Sequence, residues 1–463
     1  MYGFHKRLLT INIGTRTFEI EVLSDDLLKQ TLGGKGLGTY LLLEHNPPGV
    51  DPFEAENRVI FTVGPVTDTM VWGGCRYGVY TKSPQTGFYS ESYSGGKAAE
   101  YMSRSGFDAV MIYGKSETPV WIEVNEKGAI FHDAETLWGS DTYASEDYVK
   151  SWIKENRPLA KGCAALTIGP GGENQVAFAV IENEYWRSAG RTGAGAVLGA
   201  KKIKALGFWG NRKRKVADQA GLQALSKQFA DEFKNHPGAN AYKSMGTPMM
   251  VDIMSSVGSF PTRYWHQGQV SHQESINAKA LHDRCEVKPH ACRKCFMACG
   301  RLSTVKKGRH AGLKLEGPEY ETIYTFGGLC MIDNIEDIVY LNDICDRLGI
   351  DTISAGNLVA LTIEASMQGK TEYRIDYGQT ENIAALLKDI AACHGIGKIL
   401  SKGIKTAAPA LDMEVQAILV KGLEPAGYDP RILKGRGLSY GISPRGACHL
   451  RTTFYKPELS KMI

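Results

Sequence analysis

Alternating apolar and polar positions mark the first part of the chain as rich in β-strands. Residues 7–13 and 17–22 alternate on either side of Gly14-Thr15, which predicts a β-hairpin. Further strands are predicted at residues 58–63, 109–113, 120–124, 164–168 and 176–181. Helices are predicted in the same region at residues 25–32 after a Ser24 cap, 36–44, 97–105 and 145–155.

The spacing of apolar positions changes after a basic stretch at residues 211–215. Beyond it, apolar residues recur every three or four positions, which is typical of amphipathic helices. The predicted helices are residues 217–233, 248–256, 334–348, 353–367 and 382–394. The sequence therefore predicts an α+β fold, with a strand-rich domain at residues 1–210 and a mainly α-helical region at residues 211–463.

Composition indicates a folded protein without nucleic-acid or membrane partners. Of 463 residues, 43% are hydrophobic, and the net charge of +4 is too small to indicate nucleic-acid binding. No apolar run reaches the ~18 residues of a membrane span, and residues 1–10 lack the apolar core of a signal peptide. The 10 cysteines are therefore expected to be thiols or metal ligands in a reducing cytoplasm.

Three cysteines form the sharpest local motif, His290-Ala-Cys292-Arg-Lys-Cys295-Phe-Met-Ala-Cys299. The spacing predicts a loop that enters a helix, with Cys295 and Cys299 one turn apart. Three thiolates this close favour an iron–sulfur cluster, whose fourth ligand often lies far away in sequence. The alternatives are a structural zinc ion with His290 or His282 as fourth ligand, or thiols that bind nothing.

Three segments of the first region combine glycine with residues suited to binding anions. They are residues 73–77, 92–96 and 186–195. Each one alone is compatible with an ordinary turn, but backbone N–H groups and arginine side chains both favour phosphate. Leu198 stands where the last glycine of a dinucleotide-binding loop would be, so a Rossmann fold is not indicated. Together the segments predict a ligand that carries phosphate.

These motifs, in this order, make the chain resemble the tungsten-dependent aldehyde ferredoxin oxidoreductases. The matching segments are residues 64–65, 73–77, 81–87, 94–96, 168–170, 187–191, 292–299, 316–321, 346–354, 428–431 and 445–450. The resemblance implies an N-terminal domain of two sheets that forms the base for a cofactor, followed by helical domains. It implies tungsten, or molybdenum, held by two molybdopterins, with Mg²⁺ as a candidate bridge between their phosphates, and a [4Fe-4S] cluster nearby.

The resemblance also implies residue roles. Cys292, Cys295 and Cys299 are expected to bind the cluster, and Glu321 and His449 to lie closest to the metal as general base and polarising donor. The residues expected to contact the pterins or their phosphates are Arg76, Tyr93, Gly95, Arg187, Ser188, Gly190, Arg191, Asp346 and Asp351. Tyr93 stands where asparagine is expected, and residues 340–343 lack the Glu-x-x-His pair that binds iron in some members, so no such iron is predicted.

The activity implied is oxidation of a small aldehyde to a carboxylic acid, with electrons passed to ferredoxin or an iron–sulfur subunit. One alternative is another low-potential reaction on the same cofactor, such as reduction of an aromatic thioester. Another is a non-catalytic or truncated subunit, because family members continue with a D-x-x-G-L-C motif that supplies the fourth cluster cysteine. The sequence therefore predicts a fragment, a separate C-terminal polypeptide or a homo-oligomer, with Cys330 and Cys448 as local substitutes for that cysteine.

Overall fold

The predicted hairpin forms one edge of a six-stranded sheet in the computed structural model, which describes residues 1–460. Residues 461–463, the end of the second predicted region, lie outside the described residues. The strands are β1 (Arg7–Asn12), β2 (Thr17–Val22), β3 (Val59–Val63), β4 (Tyr77–Lys82), β5 (Tyr89–Ser94) and β6 (Ala109–Tyr113). Their order in the sheet is β2-β1-β6-β3-β4-β5. The Asn12 side chain accepts hydrogen bonds from the N–H groups of Gly14 and Thr15, which closes the hairpin turn.

A second six-stranded sheet faces the first. Its strands are β7 (Val120–Asn125), β8 (Gly128–Asp133), β9 (Cys163–Thr167), β10 (Ile181–Asn183), β11 (Arg187–Ala189) and β12 (Ile203–Trp209), in the order β11-β10-β9-β12-β7-β8. One apolar core contains side chains from both sheets, including Phe61, Val110, Ile122 and Leu166, all fully buried. The two sheets of the N-terminal region are thus confirmed.

Six helices connect and cover these strands. They are α1 (Asp25–Thr31), α2 (Gly34–His45), α3 (Ala98–Arg104), α4 (Thr142–Asn156), α5 (Pro170–Glu173) and α6 (Ala194–Ala200). Ser24 caps α1 as predicted, because its hydroxyl accepts from the Leu27 N–H at 3.2 Å.

The remainder of the described chain is mostly helical. Its helices are α7 (Gln219–Phe233), α8 (Pro237–Met245), α9 (Met250–Ser256), α10 (Gln273–Ile276), α11 (Ala278–Arg284), α12 (Tyr320–Ile323), α13 (Ile335–Leu348), α14 (Thr352–Met367), α15 (Thr380–Ala392), α16 (Gly397–Leu400), α17 (Ile404–Ala410), α18 (Lys434–Ile442) and α19 (Tyr455–Leu459). A small sheet interrupts them, formed by β13 (Cys285–His290), β14 (Gly300–Val305) and β15 (Lys314–Glu316). The predicted α+β fold class is confirmed, and no helix within residues 1–460 is long and apolar enough to cross a membrane.

Two local predictions are wrong. Residues 176–180 are not a strand, since they form a buried loop in which the Val180 N–H bonds to the Gly349 carbonyl of the helical region. Their apolar character reflects burial between the two regions. The cysteine motif does not enter a helix either, because residues 291–299 connect β13 to β14 with His290 paired to Gly300.

Candidate active site

The three glycine- and arginine-rich segments lie together where the two sheets meet. The pairing of Tyr77 with Ser94 brings the end of the first segment beside the second. The Ser94 hydroxyl donates to the Arg187 carbonyl at 3.0 Å, and the Ser92 hydroxyl donates to the Gly190 carbonyl at 2.6 Å. Side chains of one sheet therefore fix the backbone of the third segment, which begins the edge strand of the other.

Gly95 allows this edge to approach the cysteine motif. A Cβ atom at position 95 would lie 2.7 Å from the Cys292 sulfur and 3.5 Å from Nη1 of Arg187. Any larger residue would displace the sulfur or the guanidinium. The structure thus places Gly95, Arg187 and Cys292 in one small region.

Arg187 links the sheet edge to the cysteine motif. Its Nη1 donates to the Cys292 sulfur at 2.7 Å, and its Nη2 donates to Glu316 at 2.7 Å. Its side chain is only 12% exposed, so these charge-assisted bonds are largely shielded from water.

Arg191 lies on an unusual turn that directs it into the helical region. Arg191, Thr192 and Gly193 have successive φ angles of +61°, +64° and +81°, just before α6 begins. Such conformations are costly for residues other than glycine and concentrate at functional sites. The buried guanidinium donates to the carbonyls of Ala447 and Glu424 and lies 3.3 Å from Asp351.

Asp351 and Asp346 flank the turn between α13 and α14. Asp351 caps α14 by accepting from the Ser354 N–H at 3.1 Å, so its position is fixed by the helix. Asp346 accepts from the Asn342 amide at 2.8 Å. Burial raises the pKa of Asp346 well above its usual value, and the charge of Glu182 acts in the same direction. This shift favours the protonated form of Asp346, in which the carboxyl group can donate as well as accept.

Glu182 is a second buried acid that the sequence analysis did not identify. Burial raises its pKa to about 8, and one oxygen accepts from the Ser188 hydroxyl at 2.6 Å. The other oxygen has no hydrogen-bond partner in the described structure. A single glutamate in the short strand β10 carries no motif, so only its position beside Ser188 reveals it.

The structure brings Glu321 and His449 close together. Glu321 lies in the first turn of α12 and accepts from the Gly427 N–H at 2.9 Å, while its other oxygen lies 3.9 Å from Nδ1 of His449. Burial raises the pKa of Glu321 to about 7. Burial also lowers the pKa of His449 well below its usual value, and Arg191 acts in the same direction. At neutral pH the imidazole is therefore uncharged and the carboxyl group can exchange a proton.

Three further arginines surround this pair and were not identified as site residues. The buried Arg436 lies over the rings of Tyr428 and Tyr455, 5.1 and 5.0 Å from their centres. Arg445 donates to the Cys448 sulfur at 3.1 Å, and Arg451 pairs with Glu91. Arg445 lies in a matched motif, whereas Arg436 and Arg451 have no local signal that separates them from surface arginines.

Tyr93 and Arg76 occupy the rim of the same region. The Tyr93 hydroxyl donates to Glu91 at 2.6 Å, and Arg451 lies 5.3 Å from the centre of its ring. Arg76 is exposed and directly precedes β4. Burial raises the pKa of Cys299 to about 11, and the charge of Arg76 acts in the opposite direction. Tyr93 therefore presents an aromatic face and an occupied hydroxyl where the family resemblance implied an amide.

The loop that joins β13 to β14 carries the three predicted cluster ligands. A turn is closed by the Cys295 N–H bonding to the Cys292 carbonyl at 3.0 Å. A hydrogen bond from Cys75 and the charge of Arg187 lower the pKa of Cys292 to about 5. The two histidines considered as zinc ligands have other partners. Nδ1 of His290 lies 3.0 Å from the Glu316 carboxylate, and Nε2 of His282 lies 3.1 Å from the Ser244 carbonyl oxygen.

Buried polar atoms without partners test whether this region suits a large polar cofactor. Native proteins leave very few such atoms. In the described residues they include atoms of Glu182, Asn183, Trp186, Arg187, Glu321, Glu424, Arg436, His449 and Arg451. The set offers both donors and acceptors between the sheet edge and the helical region. These residues fit a pterin–metal cofactor with charged phosphates.

Buried polar groups without partners between two sheets and a helical region, next to a loop with three cysteines, are compatible with a redox enzyme that binds a large cofactor. The family descriptions that match are the N-terminal domain of aldehyde ferredoxin oxidoreductase, over residues 8–210, and domains 2 and 3 of the same enzyme, over residues 224–463. The chain belongs to the aldehyde ferredoxin oxidoreductase family. The resemblance inferred from its motifs is thereby confirmed.

Individual relatives agree with this assignment. The chain is 34% identical to a tungsten-containing aldehyde ferredoxin oxidoreductase of Thermococcus kodakarensis and 32% identical to one of Pyrococcus furiosus. Each alignment covers 99% of this chain and 76% of the relative. A solved structure, the active-site complex BamBC of benzoyl coenzyme A reductase with 1,5-dienoyl-CoA, matches with a TM-score of 0.81 and 24% identity. That match covers 92% of this chain and 66% of the other, and it shows a shared fold.

Proposed function

We propose that this chain oxidises small aldehydes to carboxylic acids at a tungsten or molybdenum centre bound by two molybdopterins. Cys292, Cys295 and Cys299 would bind a [4Fe-4S] cluster, which would supply one-electron transfer to ferredoxin or an iron–sulfur subunit. The observation that carries the proposal is the Glu321–His449 pair, whose side chains are only 15% and 22% exposed and whose facing atoms are buried without hydrogen-bond partners, close to several arginines. The names of the relatives support the same chemistry.

The cofactor is proposed to lie against the sheet edge. Arg76, Arg187 and Arg191 suit phosphate groups, while the backbone at Tyr93, Gly95, Ser188 and Gly190 can approach the pterins closely. Asp346 and Asp351 suit the pterin N–H groups as acceptors, and the protonated Asp346 can also donate. A bound Mg²⁺ would offset the negative charge of the phosphates. When bound, the group supplies a Lewis-acid centre that accepts two electrons, and the cluster transfers them singly.

The protein residues manage the protons of this reaction. An aldehyde and water give a carboxylic acid, two protons and two electrons. The unpartnered oxygen of Glu321 takes a proton from the attacking water, and the neutral His449 ring donates a hydrogen bond to the aldehyde oxygen. Arg436, whose Nε and Nη2 atoms are buried without partners, stabilises negative charge that develops on that oxygen.

Metal content and activity test the proposal directly. Protein purified without oxygen and with tungstate should contain iron together with tungsten or molybdenum, and should reduce a viologen dye with a panel of aldehydes. Protein that contains stoichiometric zinc and no iron would contradict the assignment. Turnover of an aromatic thioester without turnover of aldehydes would favour the alternative reaction.

Substitutions test the two catalytic residues. Glu321→Gln and His449→Ala should retain the metal but lose about 10²–10⁴-fold in aldehyde oxidation, the usual contribution of a positioned acid or base. The controls Glu381→Gln and His394→Ala change exposed side chains of the same types. Wild-type activity in either site variant would remove that residue from the mechanism, and loss of metal would make its role structural.

A further inference from the structure

Glu182 is a buried acid at the edge of the second sheet. It lies in β10, is only 1% exposed, and pairs across the β10–β11 hairpin with Ser188. Directly opposed residues of an antiparallel pair share one face of the sheet. The register therefore places Glu182 beside a residue that is proposed to contact the pterins.

The two carboxyl oxygens of Glu182 have different surroundings. Oε1 accepts a hydrogen bond from the Ser188 hydroxyl at 2.6 Å. Oε2 is buried and has no hydrogen-bond partner within residues 1–460. Since buried side-chain oxygens in native proteins almost always have a partner, this oxygen is suited to a group that the chain itself does not supply.

The neighbours of Glu182 favour its protonated form. Burial raises the pKa of Glu182 to about 8, and the charge of Glu146 acts in the same direction. Its neighbour in α13 is a third acid, Asp346, whose own pKa is raised by burial and by the charge of Glu182. The protonated form therefore predominates at neutral pH, and because Oε1 accepts from Ser188, the proton lies on Oε2.

A structural role would leave Glu182 with an unnecessary cost. A buried polar atom without a partner destabilises the folded state. Glu123, in β7 of the same sheet, is also fully buried, but its carboxylate accepts from Arg157 and Trp209 at 2.7 Å each. The contrast between the two glutamates favours ligand binding for Glu182.

We propose that Glu182 binds a pterin directly, with its Oε2–H group donating to a carbonyl oxygen or an unprotonated nitrogen of the ring. The inference rests on the cofactor in the proposed function. A protonated carboxyl group offers a donor and an acceptor side by side, whereas a carboxylate only accepts. Glu182 thus adds a ligand contact from the second sheet to the one proposed for Asp346 in the helical region.

The rate of pterin release tests the proposal in the anaerobically purified full chain. Glu182→Leu has a similar volume without polar atoms and should release pterin about 10-fold faster than the wild type, because the ring acceptor loses a buried donor. Glu182→Gln retains a donor and an acceptor and should release pterin at the wild-type rate. The measurement is the fluorescence of pterin that passes an ultrafiltration membrane over time.

Glu123→Gln is the control for a buried glutamate outside the site. It should lower the melting temperature, because Arg157 loses its charged partner, and leave pterin release unchanged. Cofactor-free Glu182→Leu should instead melt at or above the temperature of the cofactor-free wild type, because it removes a buried polar atom without a partner. A much lower melting temperature would make Glu182 a structural residue and overturn the proposal.

The rates of release separate this proposal from the function on which it rests. Wild-type release from Glu182→Leu, as expected if water were the partner of Oε2, would overturn the role of Glu182 and leave the cofactor in place. Release from Glu182→Gln as fast as from Glu182→Leu would also overturn it, because a carboxylate would then be required. Wild-type protein that contains no pterin would contradict both this proposal and the proposed function.

Discussion

Glu321 and His449 owe their chemistry to burial more than to residue type. A glutamate carboxyl group in water has a pKa near 4.3, whereas partial burial raises the pKa of Glu321 to about 7. The imidazole is shifted in the opposite direction, because burial and a group of arginines disfavour its charged form. Opposite shifts in neighbouring groups provide a proton acceptor and a neutral donor at the same pH.

The pH dependence of catalysis follows from the Glu321 shift. Only the carboxylate can accept a proton, and this form becomes dominant as the pH rises through about 7. We therefore expect kcat/KM for an aldehyde to rise with pH up to about 7 and then to level off, and Glu321→Gln to lose this dependence. The measurement is a pH–rate profile with a viologen acceptor. A Glu321→Gln variant that retains the same pH dependence would assign it to another group.

At the scale of helices and strands, the sequence predicted what depends on neighbours in the chain. The β1–β2 hairpin, the Ser24 cap and helices α13 and α14 follow local rules, and the structure confirms them. Residues 176–180 and 291–299 were wrongly predicted, because tertiary contacts decide their conformation. The apolar residues of a loop buried between two regions resemble those of a strand in sequence. The cysteine spacing is compatible with a helix, but the pairing of His290 with Gly300 places these residues in the loop of a hairpin.

Close packing of short helices gives an element-scale prediction. A Cβ atom at Gly199 in α6 would lie 1.8 Å from the Gly172 carbonyl oxygen in α5. Gly199→Ala should therefore lower stability by about 1–3 kcal/mol or more, despite the better helix propensity of alanine. The measurement is the melting temperature.

Gly441 provides the matched control for this substitution. It lies in helix α18, and a Cβ atom there would meet nothing within 4 Å. Gly441→Ala should keep or raise the melting temperature, because alanine favours the helix by about 1 kcal/mol. Equal melting temperatures for the two variants would mean that α5 and α6 are packed less tightly than described.

At the scale of the whole molecule, the site is assembled from segments far apart in the chain. The proposed cofactor site and the Glu321–His449 pair come from β5, β11 and the turn after it, α12, the turn before α14 and residues 424–449. The motifs indicated most of these residues in advance, because the family resemblance assigns distant segments of the chain to one site. The resemblance could not identify Glu182 or Arg436, since their proximity to the other residues exists only after the two sheets and the helices pack together.

Arg191 is the residue through which this assembly can be tested. Its guanidinium extends from the second sheet to Asp351 and to the carbonyls of Glu424 and Ala447. One side chain thus contacts three segments of the helical region. Arg191→Lys keeps the charge but cannot make the three contacts at once. Since hydrogen bonds to charged groups contribute about 1.5–3 kcal/mol each, we expect a lower melting temperature and loss of most bound pterin.

Arg157→Lys is the control for Arg191→Lys. Arg157 binds Glu123 through two hydrogen bonds of 2.7 Å, but both residues belong to the N-terminal region. This variant should bind pterin as the wild type does, because the Arg157–Glu123 ion pair that it weakens does not connect the sheets to the helical region. Pterin released from denatured protein can be measured by its fluorescence. If Arg191→Lys also retained full pterin and the wild-type melting temperature, the cofactor site would not depend on this connection between the two regions.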